Sequence, residues 1–273
     1  MSHPLHRWNE SFAWRPVSAA PRAIRAEQAL AFNERGFFVF EDAFTADELV
    51  AVVAEIDPWE AKVTDFLRSR PDGKLFIADA EAITFTTHLV MRSSKLRDFC
   101  RSAVFTGLAA DLIGPDVRLY WDQAVYKKPR SEASFPWHQD NGYTFVEPQQ
   151  YLTCWVALTD ATLDNGCPWI VPGLHPLGTL EHWQTDRGWQ CIEDPREAVA
   201  VPLRAGSVAV FSSLTPHSTG PNRTDGVRKA YIVQFAPEGA VTVSEAPGGG
   251  RVETPQVDPD RQFPLLAGGQ PVA

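Results

Sequence analysis

The chain has 273 residues, 44% of them hydrophobic, enough to bury one large core or two small ones. Its 25 basic and 34 acidic residues give a net charge of −9 with no long basic run, which argues against nucleic acid or an anionic membrane as a partner. No apolar run approaches the roughly 20 residues that a membrane-spanning helix needs.

Residues 1–22 form a polar arm containing Trp and Pro, without the apolar stretch of a signal peptide. Residues 26–35 read as a helix closed by Gly36 in the left-handed C′ position. Phe37-Phe38-Val39-Phe40 reads as a short buried strand. Thr45-Ala46-Asp47-Glu48 fits a capping box, and the helix it opens is expected to reach about Ile56, just before Pro58. A third helix is expected over 94–113, stopped at Gly114.

After Gly114 the pattern turns to β. Residues 117–126, 152–158, 169–171, 198–203, 207–211 and 229–235 are short strand-like runs, separated by turn formers such as Asp164-Asn165-Gly166, Pro172-Gly173 and Asp225-Gly226. Such punctuation predicts a sandwich or jelly roll. No flexible linker lies near Gly114, so one domain over 1–273 is expected. A helical part (about 20–114) would cover one face of a jelly-roll core (about 115–240), and residues 246–273 would be an extended tail on the surface. Cys100, Cys154, Cys167 and Cys191 form no C-x-x-C pair, which suggests free thiols and a reducing, cytoplasmic setting.

The chemistry concentrates at His138-Gln139-Asp140. On an extended strand, side chains two apart share a face, so both can reach one ion. Taken alone, His-x-Asp is weak evidence and fits a hydrogen-bonded strand pair better. His217 lies 79 residues downstream, after a turn at Ala205-Gly206 and an apolar strand that would deliver it to the mouth of a barrel. Arg228 follows 11 residues later, and a hairpin through 222–226 could bring it back beside the histidines. Two histidines and one carboxylate form the facial set that holds Fe(II) while leaving positions for substrate and O2. An arginine among Val227, Ala230, Ile232 and Val233 is costly to bury without an anion. A cosubstrate carboxylate would suit it, and so would an ordinary salt bridge.

Further stretches join these residues: Lys127-Lys128-Pro129, Trp137-His138-Gln139-Asp140, Trp155-Val156-Ala157-Leu158, Asn165-Gly166-Cys167, Val171-Pro172-Gly173-Leu174-His175, Ala205-Gly206-Ser207, and His217 through Arg228. Together, in this order and spacing, they resemble the phytanoyl-CoA dioxygenase family, a branch of the Fe(II)/2-oxoglutarate oxygenases. The resemblance implies a mainly-β fold with flanking α-helices: a double-stranded β-helix, the cupin-like jelly roll. It implies that His138, Asp140 and His217 bind iron, and that Arg228 holds the distal carboxylate of 2-oxoglutarate with help from Thr219. Trp155 would wall the cosubstrate site, with Gln123 near it. Some family members place a lysine on the cosubstrate; this chain offers Thr86 and His88 in that segment. The implied reaction uses O2, releases succinate and CO2, and hydroxylates an unactivated C–H. Because Asp140 is present where related halogenases carry a small residue, hydroxylation, or another oxidation from the same oxidant, is expected rather than halogenation.

The substrate is expected to be a small organic molecule. Lys127, Lys128 and Arg130 could serve the phosphates of an acyl-CoA, whereas Trp137, Asn141, Tyr143, Phe135 and Phe145 around the metal motif could line a pocket. The Trp-containing segment 175–196 could be a lid. His88, His175 and His182 read as hydrogen-bonded loop residues, and His3 and His6 as solvated. Rival readings are a cupin-like metalloenzyme that does not use 2-oxoglutarate, a non-catalytic ligand-binding relative, and a purely structural sandwich. Nothing in the sequence sets an oligomeric state.

Overall fold

The strands that carry the fold form two sheets, and the chain passes back and forth between them. In the computed structural model, which describes residues 3–272, the larger sheet orders Phe37–Phe40, Val208–Ser212, Leu152–Ala157, Arg228–Pro237, Val117–Lys127 and Ile83–Thr87. Ala78–Asp79 and Lys74–Leu75 extend its far edge. The smaller sheet orders Val199–Ala200, Pro168–Ile170, His217–Thr219 and Phe135–His138. All these pairings are antiparallel. From Val117 onward the eight strands fall as larger, smaller, larger, smaller, smaller, larger, smaller, larger. That interleaving of two four-stranded ladders is the double-stranded β-helix that the family resemblance implies, within the sandwich or jelly roll expected from the strand pattern.

Period-two alternation decides what each strand offers the site. Along Arg228–Pro237, Tyr231, Val233 and Phe235 join the core beneath the helices. Ala230 and Ile232 join the core between the sheets, and Arg228 and Gln234 line a cavity on that same side. Leu152–Ala157 repeats the division, with Cys154 and Val156 on the helix side and Thr153 and Trp155 facing the cavity. The helices cover the outer face with stripes such as Leu49, Val52 and Ile56.

Local signals set several boundaries. Gly36 closes Ala26–Arg35 at φ +81°, and Thr45 and Glu48 form the reciprocal capping box. The helix it opens does not stop near Ile56; it runs through Pro58 as Ala46–Arg68. Beyond the proline the buried stripe continues through Glu60, Thr64 and Leu67. Glu60 accepts from Lys128 at 2.6 Å, Thr84 at 2.7 Å and Thr64 at 2.8 Å. These tertiary anchors offset the roughly 3 kcal/mol that an interior proline takes from a helix.

The expected helix over 94–113 is two, Ser94–Cys100 and Ala103–Leu112. Ser102 is extended between them (ψ 159°), and the bend lets Phe99 and Phe105 both pack on Phe44, with ring centroids 4.5 and 5.4 Å away. The C-terminal tail also departs from its expected place. Pro264–Ala267 pairs with Val117–Lys127, and Phe263, Leu265 and Leu266 enter the helix-side core. The N-terminal arm is likewise tied down, with the Glu181 N–H donating to the Pro4 carbonyl at 2.8 Å. His6 is half-buried and stacked on Phe145 rather than solvated.

Candidate active site

Strand pairing brings the two histidines together. His138 ends Phe135–His138, His217 begins His217–Thr219, and the register sets them opposite each other with ring centroids 4.1 Å apart. Asp140 does not share the strand with His138 as expected; it opens the short helix Asp140–Tyr143. The intervening Gln139 is extended (φ −103°, ψ 144°), so the carboxylate still returns to the side of the histidines. Its Oδ1 lies 3.8 Å from His138 Nε2 and 3.7 Å from His217 Nε2.

The surroundings prepare these atoms for a metal. Nδ1 of His138 donates to the Pro136 carbonyl at 2.9 Å, and Nδ1 of His217 to the Thr215 carbonyl at 3.0 Å. Each Nε2 lone pair is thereby left free toward the common point. Burial and the neighbouring His217 hold the His138 imidazole far below its ordinary pKa, so the ring is neutral. Asp140 Oδ2 accepts from the Thr153 hydroxyl at 2.5 Å, and that hydroxyl accepts from Gln234 Nε2 at 3.2 Å. One ligand atom from each of the three residues lies within 4.8 Å of the others. Two nitrogens and one oxygen with their outer partners in place fit a divalent transition metal such as iron. Thr153 and Gln234 went unremarked in the sequence; their signal is a polar side chain on the inward face of an otherwise apolar strand.

The cluster opens into a cavity of about 510 Å³ between the sheets, lined also by Arg228, Thr219, Trp155, Gln123 and Tyr143. Arg228 is 1% exposed, and none of its three guanidinium nitrogens has a hydrogen-bond partner. The ordinary salt bridge that could have explained it is absent among the described residues. Trp155 lies under the guanidinium, 5.0 Å from ring centroid to Cζ. Burial draws the group down to about 9, as expected for a cation lacking its anion.

Other expected contacts lie elsewhere. Trp137 turns to the outer side and packs with Val171, Leu180, Cys191 and Ile192. Asn141 is fully buried as a clamp, donating to Thr179 Oγ1 at 2.7 Å and accepting from the Val146 N–H at 2.9 Å. Phe145 is buried beneath His6 and Trp8. Strand alternation sends Phe85 and Thr87 into the cavity and leaves Thr86 on the opposite face. His88 sits against Trp121 and Arg261.

The three nearby basic side chains are all engaged. Lys127 Nζ donates to the carbonyls of Ala133, Thr219 and Gly220. Lys128 pairs with Glu60, and Arg130 with Asp225. The 175–196 segment does not line the cavity. His175 is buried and donates to the Asn33 carbonyl, and His182 Nε2 accepts from the Gln139 N–H. The hairpin of Trp183–Thr185 and Gly188–Gln190 backs Tyr143, whose hydroxyl accepts from the Trp189 N–H at 3.2 Å. The mouth is instead lined by residues 75–78, which the sequence did not single out.

Fold and site together define a double-stranded β-helix protein with a two-histidine, one-carboxylate centre and a buried arginine on a shared cavity. The model of the phytanoyl-CoA dioxygenase family matches residues 32–230, and the chain belongs to that family. It is 28% identical to a phytanoyl-CoA dioxygenase of Arabidopsis thaliana over 59% of this chain and 59% of that protein. It is 26% identical to phytanoyl-CoA dioxygenase domain-containing protein 1 of Mus musculus over 86% of this chain and 97% of that one. Among solved structures it is similar to the non-heme alpha-ketoglutarate-dependent carbocyclase SnoK from nogalamycin biosynthesis, with a TM-score of 0.67, 23% identity, and coverage of 82% of this chain and 89% of that one.

Proposed function

We propose that this chain is an Fe(II)- and 2-oxoglutarate-dependent dioxygenase that hydroxylates an unactivated C–H of a small organic substrate, releasing succinate and CO2. The observation that carries this reading is Arg228: a guanidinium buried without an anion, on the cavity that holds the His138–Asp140–His217 cluster. A dicarboxylate cosubstrate would supply that anion while its other end reaches the metal. Iron with 2-oxoglutarate and O2 bound supplies the oxidising chemistry.

In this reading, His138 Nε2, Asp140 Oδ1 and His217 Nε2 hold the iron. Thr153 aims Asp140 by engaging its other oxygen. Arg228, with Thr219 on the same cavity, would fix the distal carboxylate; Trp155 would shield that carboxylate from water, and Gln123 lines the cavity too. Tyr143 and Phe135, stacked at 6.0 Å, bound the space left for substrate. Four buried free cysteines fit a reducing compartment, and cytoplasmic placement belongs to this proposal. No helix among the described residues is long and apolar enough to cross a membrane.

The test is anaerobic titration of Fe(II) and 2-oxoglutarate into metal-free protein, followed by visible absorption. A weak charge-transfer band that vanishes in His138→Ala and weakens in Arg228→Ala is the expected result. Iron binding without the band would remove 2-oxoglutarate and favour a cupin-like metalloenzyme. Absence of iron binding would favour a non-catalytic relative.

A further inference from the structure

We propose that the hairpin of residues 74–79 is a clamp for an uncharged, largely apolar substrate, with Phe76 as its contact residue. This rests on the site acting as the preceding reading describes. Leu75 pairs with Ala78, which leaves Phe76 and Ile77 as a two-residue turn. Phe76 sits at φ +59°, at the first turn position, where tight hairpins of this kind favour glycine. A bulky aromatic is therefore held where the backbone disfavours it, and its ring is not used in packing: Phe76 is 83% exposed and Leu75 45%. Both nevertheless line the mouth of the cavity that ends at the metal cluster. The hairpin is braced from its base, by Lys74 paired with Asp79 at 3.1 Å and Arg70 Nε donating to the Lys74 carbonyl. Two large apolar side chains thus stand in water over the site on a braced support.

The interior agrees with that choice of ligand. Phe85, Trp121, Phe135 and Tyr143 make the walls, and among the described residues lining the cavity Arg228 is the one lysine or arginine. Arg228 is taken by the cosubstrate in the preceding reading, while Lys127, Lys128 and Arg130 are engaged elsewhere. A phosphate entering this cavity would lose its water without gaining a lysine or arginine, and the metal is taken up by the cosubstrate in the preceding reading. The substrate in this proposal is uncharged, unlike a coenzyme A ester or an alkyl phosphonate.

The experiment uses the full chain loaded with Mn(II) and 2-oxoglutarate under anaerobic conditions and the uncharged naphthalene dye prodan as probe. A saturable blue shift in emission is expected, reversed by decanol but not by decanoyl-CoA or methylphosphonate at equal concentration. Phe76→Ala should weaken dye binding about tenfold, the effect of losing burial of roughly a third of an aromatic ring's surface, and Phe76→Trp should restore it. The affinity for 2-oxoglutarate, measured by calorimetry, should be the same in all three proteins. Lack of a saturable shift, equal dye affinity in Phe76→Ala, or displacement by decanoyl-CoA or methylphosphonate would overturn the proposal. Dye binding that depends on Phe76 in a protein that takes no 2-oxoglutarate would leave the clamp standing and remove the reaction assigned to the site.

Discussion

Replacing Thr153 with valine should weaken iron binding without changing a ligand. Valine keeps the volume and branching of threonine but removes the hydroxyl that donates to Asp140 Oδ2 at 2.5 Å. Thr153 is 1% exposed, so water cannot readily take the hydroxyl's place. A hydrogen bond to a charged group contributes about 1.5–3 kcal/mol, and its loss frees Asp140 to rotate away from the histidines. At about 1.4 kcal/mol per factor of ten, Fe(II) affinity should fall roughly 10- to 100-fold, the range seen when outer partners of metal ligands are removed. Gln234 Nε2 also loses its acceptor, which should lower fold stability by about 1–3 kcal/mol. The assay is anaerobic competition for Fe(II) against a chromophoric chelator, with circular dichroism to confirm the fold. Thr153→Ser, which keeps the hydroxyl, should recover most of the affinity. An intact Thr153→Val protein that binds Fe(II) within about twofold of wild type would refute the positioning argument.

Three other outcomes are expected. Arg228→Met should weaken 2-oxoglutarate binding by about 100-fold or more by calorimetry, yet raise the melting temperature of the cosubstrate-free protein, because an unpaired buried charge is removed. Lys127→Met would leave the carbonyls of Ala133, Thr219 and Gly220 without their donor; a loss of about 3 kcal/mol or more should show in denaturant midpoints. His175 is held neutral by burial, with its pKa lowered to about 4. The unfolded chain takes up that proton from about pH 6.5 downward and the folded chain does not until about pH 4, so stability is lost as pH falls through that window, by about 3 kcal/mol at its lower end. Thermal melts from pH 7 to 4.5 should show this decline, and His175→Phe should lessen it by about that amount, the buried His138 and His182 keeping the remainder.

The sequence alone determined what depends on neighbours along the chain. Gly36 at φ +81° and the Thr45–Glu48 box are local backbone chemistry, and both read directly. The jelly roll was legible because short apolar runs and turn residues alternate regularly after Gly114. His138, Asp140, His217 and Arg228 stood out only through the combined pattern that resembles the family, since each alone has an ordinary structural use; the fold brings all four to one cavity. Strand alternation says that neighbours on one strand divide between two faces, but not which face is inner.

That choice belongs to pairing between distant strands and to contacts between layers. A register shift between His217 and Thr219 brings Phe135 opposite Thr219, and Trp137 packs outward while Phe135 lines the cavity. Asn141, beside the metal motif, became a buried clamp because Thr179 and Val146 fold against it. Thr153 matters through Asp140, 13 residues away, and Gln234, 81 residues away. Pro58 fails to end its helix because Lys128 and Thr84 anchor Glu60 beyond it. Phe76 reads as one more apolar residue until the turn places it, exposed, over the cavity. In most of these cases the deciding contacts include partners far along the chain, so only the tertiary structure could bring them together.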